Sequence, residues 1–235
     1  MLKGKKRYLK FNQAINEAII QSIDKDKKVV VFGEGVQDPS SMWGTLKGIN
    51  KKFGPKNTVE MPVSENSLIG AAIGASNFGI KSIVCLNRVE FAMYAFEQIF
   101  NNAAKSNFLT NGVHRSPIVI RLAIGRGWGQ GPTHSQSMES VFSYFPGLKV
   151  VMPLMPSDAK DILISSQLTS AMIFNKKIRA ANYNIDTYKK TIYIYGIAND
   201  EDEKNELIDE AKKILDVQDV IASILLVDDL RVQKN

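Results

Sequence analysis

The stretch VEMPVSENSLIGAAIGASNFGI, Val59 to Ile80, decides how the rest of the chain is read. Pro62 holds the residues before it extended, Ser64 is placed to cap a helix by accepting a first-turn backbone N–H, and Gly79 offers a left-handed stop. The spacing predicts a helix from about Glu65 to Phe78 that opens on an acid. Gly70, Ala71, Ala72, Gly74, Ala75 and Ser76 leave it almost without side-chain bulk, although each interior glycine costs roughly 1 kcal/mol relative to alanine. Something is therefore expected to approach this backbone closely. Local pattern alone is also satisfied by a helix buried against a second helix or a sheet, with Glu65 merely favoured by the positive end of the helix dipole.

Outward from this helix the chain alternates helical and extended patterns. Phe11, Ala14, Ile15, Ala18, Ile19 and Ile23 recur at helical spacing, and Lys28 to Phe32 is a short β-branched run that ends in Gly33. A helix is expected near Gly44 to Phe53, a strand at Ile80 to Leu86, a long helix at Phe91 to Lys105, and strands at Pro117 to Leu122 and Lys149 to Met152. A further helix opens after Pro156 with Ser157 as its expected cap. Short apolar strands separated by helices give an α/β domain, a parallel sheet with helices on both faces. Sites in such sheets lie beyond the carboxyl ends of the strands. Three loops fall there: Gly33 to Val36, Asn87 to Glu90, and the glycine-rich Ile124 to Ser135.

Composition narrows the function classes. At 235 residues, 44% hydrophobic and 23% charged, the chain reads as an ordinary globular protein of one large or two smaller domains. No run approaches the ~18 uninterrupted apolar residues of a membrane span, and the basic start MLKGKKRYLKFNQ lacks the apolar core of a signal peptide. The single cysteine, Cys85, rules out an internal disulfide framework and fits a reducing, cytoplasmic setting. The net charge of +6 is spread among acids with no aromatic-basic stripe, so it suggests solubility or an acidic protein partner and no nucleic acid.

The loop IGRGWGQGPTHS carries glycine at Gly125, Gly127, Gly129 and Gly131. It lacks the Gly-Lys-Ser/Thr of a phosphate loop, and no helix opens within the glycines as a dinucleotide fingerprint requires. The glycines instead suggest positive φ angles in a segment that folds over a ligand or a neighbouring subunit. His134 at its end and His114 are the two histidines of the chain. A lone histidine is usually structural, yet one at the carboxyl end of a parallel strand is a candidate proton carrier.

The ordered set GEGV (Gly33 to Val36), VSENSLIGAAIG (Val63 to Gly74), RVEF (Arg88 to Phe91), EQIFNNAAK (Glu97 to Lys105), GRGWGQGPTHSQ (Gly125 to Gln136) and PGLKVVMP (Pro146 to Pro153) closely resembles the beta subunit of thiamine-diphosphate-dependent 2-oxo acid dehydrogenases of the pyruvate dehydrogenase type. The resemblance covers about residues 8 to 167, and is shared more distantly with the pyrimidine-binding domain of transketolases. It implies a transketolase-like pyrimidine-binding domain over residues 1–170. It also implies that Glu65 hydrogen-bonds the aminopyrimidine ring nitrogen of the cofactor and favours the tautomer that deprotonates the thiazolium carbon. That role requires a buried, dry acid. By the same resemblance Glu34, Leu86 and Val89 are cofactor contacts, Val89 standing where many relatives carry an aromatic ring. His134 matches a histidine that faces the entrance of a lipoyl arm and assists acyl transfer.

The resemblance further implies a half-site. The Gly-Asp-Gly motif and later asparagine that bind diphosphate through magnesium belong to an alpha subunit, and no metal ligands are expected here. Expected partners are that alpha subunit, a lipoyl-bearing acyltransferase and further copies in an oligomer, with the Gly70/Gly74 face as the surface where subunits meet. In the family a final strand and a second domain follow the Ser157 helix; here that continuation is expected to stop near Gln167. Beyond the junction Leu168 to Ala180, strand-like Tyr183 to Tyr188 and Thr191 to Ile197, an amphipathic helix Asp200 to Leu215 and a strand region Val217 to Val227 give a small α+β module with β-β-α-β order. Residues 178–235 resemble a BON domain, which implies phospholipid or ligand binding and hence a possible membrane contact. Two readings of the whole chain follow: an enzyme subunit inactive by itself, or a catalytically silent scaffold joined to a lipid- or protein-binding module.

Overall fold

The computed structural model describes residues 8–39, 41, 43–125, 129–214 and 217–228. Four short strands pair in parallel in the order β2-β1-β3-β4: β1 Val29–Gly33, β2 Thr58–Glu60, β3 Lys81–Leu86 and β4 Ile118–Leu122. Every residue of β1 is buried, as a central strand covered on both faces requires. Helix α1 (Phe11–Lys25) precedes it, α2 (Ile49–Phe53) precedes β2, and α3 (Glu65–Ser76) connects β2 to β3. The main core joins Val30 and Phe32 of β1, Val84 and Leu86 of β3, and Leu68, Ile69 and Ala72 of α3. Ile99, Phe100 and Phe142 close it, and Phe100 stacks on Phe145 with ring centroids 3.7 Å apart.

The elements depart from the sequence pattern in instructive ways. Gly44 and Gly48 take φ of 69° and 75°, so the helix expected from Gly44 begins only at Ile49. The three-residue β2 is too short to leave a pattern. The long helix expected from Phe91 to Lys105 is a 3₁₀ segment, Val89–Ala95, followed by a π-helical one, Glu97–Ala103. There Ala104 N–H reaches the Ile99 carbonyl at 3.0 Å, and the wide turn coincides with the aromatic cluster around Phe100. A short α4 (Ser106–Leu109) and α5 (Glu139–Ser143) flank β4 in sequence. Lys149 to Met152 forms no strand: Val150, Val151 and Met152 are partly exposed, and β4 keeps a single strand neighbour. Ser64 occupies the cap position of α3, but its hydroxyl bonds Ser67 Oγ at 2.9 Å rather than a backbone N–H. Gly79 takes φ of 79°, the left-handed stop expected of it.

The chain divides into two compact units, Ile19–Met152 and Pro153–Asn235 with Met1–Ala18. In the second, α6 (Pro156–Phe174) is followed by β5 (Tyr183–Tyr188), β6 (Thr191–Ala198), α7 (Glu201–Lys212) and β7 (Asp219–Leu226). The hairpin β5-β6 is antiparallel, and α7 carries the chain across to β7 parallel to β6, so the β-β-α-β order read from sequence is present in a small mixed sheet. Gly196 admits no side chain, since a Cβ there would lie 2.3 Å from the Asn182 carbonyl oxygen. Met155, not Ser157, caps α6, with Pro156 in its first turn; Asp158 accepts the Leu154 and Met155 N–H groups at 2.8 Å each. Asp161 on α6 is buried and accepts the N–H groups of Lys189 and Lys190 at 2.9 Å each, which holds these two turn residues in positive φ (48° and 65°).

Helix α6 thus belongs to the core of this unit. Ile164, Leu168 and Met172 pack with Ile185, Ile192, Ile194, Leu207 and Ala211. The segment read as a junction is also tied down, because buried Glu203 accepts the Arg179 N–H at 2.7 Å and Asn175 donates to Glu206 at 3.0 Å. Burial alone would raise the Glu203 carboxyl, but N–H groups of Asn199 and Arg179 outweigh it and hold the carboxyl below its usual value. Each of the three α6 side chains contributes about 1.5–3 kcal/mol by burial, together comparable to the whole stability of a small domain. A fragment of residues 178–235 is therefore expected to give a collapsed amide spectrum, and one of residues 153–235 a dispersed one. A dispersed spectrum from 178–235 alone would show that α6 is dispensable.

Candidate functional site

Three strand ends converge. Gly33 ends β1 where a Cβ would lie 2.5 Å from the Cys85 carbonyl oxygen of β3, so only glycine lets the two strands stay paired as the chain turns out to Glu34. Glu60 at the end of β2 accepts the N–H groups of Gly35 (2.6 Å) and Gln37 (2.9 Å), and Met61 N–H bonds the Gly33 carbonyl at 3.0 Å. This lacing fixes the Glu34 loop against the chain that leads through Pro62 and Val63 into Glu65. After β3, Asn87 Nδ2 donates to Glu34 Oε2 at 3.1 Å, and the Asn87 carbonyl accepts Trp43 Nε1–H at 3.1 Å.

The result is a cleft of about 490 Å³ lined by Glu34, Val63, Glu65, Phe91 and Tyr94. Glu65 is buried, 8% exposed, and opens α3, so its carboxylate sits at the positive end of that helix. Glu34 is half-buried; its Oε1 is shielded from solvent and has no hydrogen-bond partner. Burial raises the Glu34 carboxyl above its usual value, the charge of Glu65 raises it further, and the Asn87 hydrogen bond opposes both. Two acids thus share one cleft, and Glu34 keeps its proton to higher pH than an ordinary carboxyl does.

Leu86 and Val89 lie in the main core, each 1% exposed, and are not among the side chains that line the cleft. His134 closes a short 3₁₀ turn, Pro132–His134, and packs edge-on against Phe91 with ring centroids 5.5 Å apart at 80°. Its Nδ1 lies 3.0 Å from Thr133 Oγ1. Through Phe91 the histidine is next to the cleft. Gly125, Gly129 and Gly131 take φ of 75°, 73° and 81°, the positive values expected of this loop, while Gly127 lies outside the described residues.

The sequence placed the Asn87 to Glu90 loop and the motifs containing Val63 and Phe91 at the site but gave no role to the side chains of Val63, Asn87, Phe91 and Tyr94, nor to the pair Arg88 and Glu90. These last two are each 3% exposed and joined Nε to Oε2 at 3.2 Å. Arg88 Nη2 donates to the Gly125 carbonyl at 2.6 Å, and Glu90 Oε1 accepts the Gln136 N–H at 2.7 Å. Burial would raise the Glu90 carboxyl, but the Gln136 N–H and the Arg88 guanidinium hold it below its usual value. Position after a buried strand marked this loop, but the partners that fix its side chains lie far away in sequence.

A parallel sheet whose first three carboxyl-end loops bring two acids and two aromatic rings into one cleft defines an α/β ligand-binding domain. The sequence identifies which one. Residues 7–178 match the transketolase pyrimidine-binding domain, and the chain belongs to that family. Among curated relatives it is 37% identical over 169 residues to the acetoin:2,6-dichlorophenolindophenol oxidoreductase subunit beta of Cupriavidus necator, covering 68% of this chain and 50% of that one. It is 35% identical to the pyruvate dehydrogenase E1 component subunit beta of Rickettsia bellii and to the 2-oxoisovalerate dehydrogenase subunit beta of Bacillus subtilis, in each case over 66% of this chain and 47% of the relative. The chain therefore spans about half the length of the curated relatives it matches. Among solved structures, a split-gene transketolase described as an inactive beta4 tetramer superposes with a TM-score of 0.52 at 20% identity, over 66% of this chain and 47% of that one, a likeness of fold.

Proposed function

We propose that this chain supplies the aminopyrimidine half of a thiamine diphosphate site and completes a 2-oxo acid dehydrogenase-type enzyme with an alpha partner. The observation that carries the reading is the buried Glu65 at the head of α3, in one cleft with Glu34 and Phe91. The cleft suits an aminopyrimidine. Glu65 provides an acid for a ring nitrogen, the unpartnered Oε1 of Glu34 can accept an amino hydrogen, and Phe91, Tyr94 and Val63 provide apolar contact. Thiamine diphosphate, when bound, supplies the carbon nucleophile and the electron sink for decarboxylation.

The chain's own groups then divide the work. Glu65 would hold a proton at the ring nitrogen and Glu34 would orient the amino group, with the Phe91 ring lining the same cleft. His134, beside Phe91, would be a second proton carrier, available to a lipoyl-type acceptor. The diphosphate and its magnesium are assigned to the alpha partner. The small-residue face of α3 is assigned to subunit contact at Gly74, where among the described residues a Cβ would meet nothing within 4 Å; at Gly70 a Cβ would already meet the Gln98 side chain at 3.6 Å. The relatives are named for acetoin, pyruvate and 2-oxoisovalerate, so side-chain selectivity is assigned to the partner and not to the half-site they share. Co-purified with a cognate alpha chain, the complex is expected to turn over one of these three compounds only when thiamine diphosphate is present. A stable complex with no turnover of any of them would favour the silent-scaffold reading.

A further inference from the structure

We propose that Arg88 and Glu90 are positioning residues that fasten the neck of the glycine-rich segment and so set His134 against Phe91. The two ends of that segment meet directly, with Gly125 N–H donating to the Gln136 carbonyl at 2.9 Å. Each end is then gripped by one member of the ion pair: Arg88 by its 2.6 Å bond to the Gly125 carbonyl, Glu90 by its 2.7 Å bond from the Gln136 N–H. Val89 N–H adds a bond to the Ala123 carbonyl at 2.9 Å, one strand end away. Glu90 is followed at once by Phe91, and Gln136 stands two residues after His134. The pair therefore holds Phe91 from the adjacent residue and His134 from two residues away.

A buried charge pair is a costly way to gain stability, because desolvation of both ions offsets most of their attraction. A well-packed apolar pair would close the same neck without that cost. What the pair adds is geometric: a guanidinium fork and a carboxylate, each with a fixed direction, bond to two backbone groups that no apolar side chain can orient. The role of His134 rests on the function proposed above; the placement of His134 does not.

The test uses the full chain without partner or cofactor and reads the two histidines by diethyl pyrocarbonate modification, together with backbone amide exchange. His114, exposed and away from the neck, is the internal reference. In Arg88→Met the modification rate of His134 relative to His114 is expected to rise roughly tenfold, with faster exchange at Gly125 and Gln136 and unchanged protection of β1 and β3. Glu90→Gln, which keeps an acceptor for the Gln136 N–H but loses the charge, should give a smaller rise. If Arg88→Met does not fold, the double variant Arg88→Met/Glu90→Gln, which leaves no unpaired charge, is read in its place with the same expectation. Unchanged His134 reactivity in a folded variant would overturn the proposal, as would a loss of protection spread evenly over β1 and β3, which would make the pair a general stabiliser. Since neither readout involves turnover, failure of the cofactor reading would leave this result interpretable.

Discussion

Glu65→Gln is expected to abolish turnover of the assembled enzyme, by about 10²–10⁴-fold, while cofactor affinity stays within about tenfold of the unsubstituted complex. The amide has nearly the shape of the carboxyl and can still hydrogen-bond a ring nitrogen, so binding survives. It cannot give and take the proton, so the loss falls on the chemical step and not on KM. Because Glu65 is buried at the head of a helix packed into the main core, the substitution also removes a charge favoured by the helix dipole, a cost of about 0.3–1 kcal/mol that leaves the fold intact. Single-turnover measurement separates the two effects. Turnover equal to that of the unsubstituted complex would assign Glu65 to a purely structural position at the start of α3.

Much of this site was legible in the sequence because its main acid is local. Pro62, Glu65 and Gly79 mark where a helix starts and stops from within a single segment, and the structure places α3 at Glu65–Ser76 accordingly. The parallel sheet followed from short β-branched runs, and the β-β-α-β order of the C-terminal unit from equally local patterns. What was not legible depends on partners distant in sequence. The Asn87 to Glu90 loop is placed by its strand, but the roles of its side chains follow only from their partners: Asn87 on Glu34, and the buried Arg88 and Glu90 on Gly125 and Gln136. Helix α6 shows the same limit. Its apolar residues could have faced either neighbour in sequence, and only the packing of Ile164, Leu168 and Met172 on the C-terminal core decides the matter. Lys149 to Met152 has the composition of a strand, yet composition does not supply a neighbour to pair with.

The half-site claim makes its plainest prediction for binding. The cleft offers two carboxyl groups, one unpartnered carboxyl oxygen and a few apolar contacts, and none of its lining residues is a cation that would attract a diphosphate. Such contacts do not overcome the loss of translational, rotational and internal freedom on fixing a flexible, multiply charged cofactor. The most direct measurement is a calorimetric titration of thiamine diphosphate with magnesium into this chain, first alone and then with a cognate alpha chain. The account predicts no saturable heat at micromolar concentrations from the chain alone and a saturable isotherm once the alpha chain is added. Tight, saturable binding by the chain alone would contradict it, because the diphosphate would then have a site within these residues.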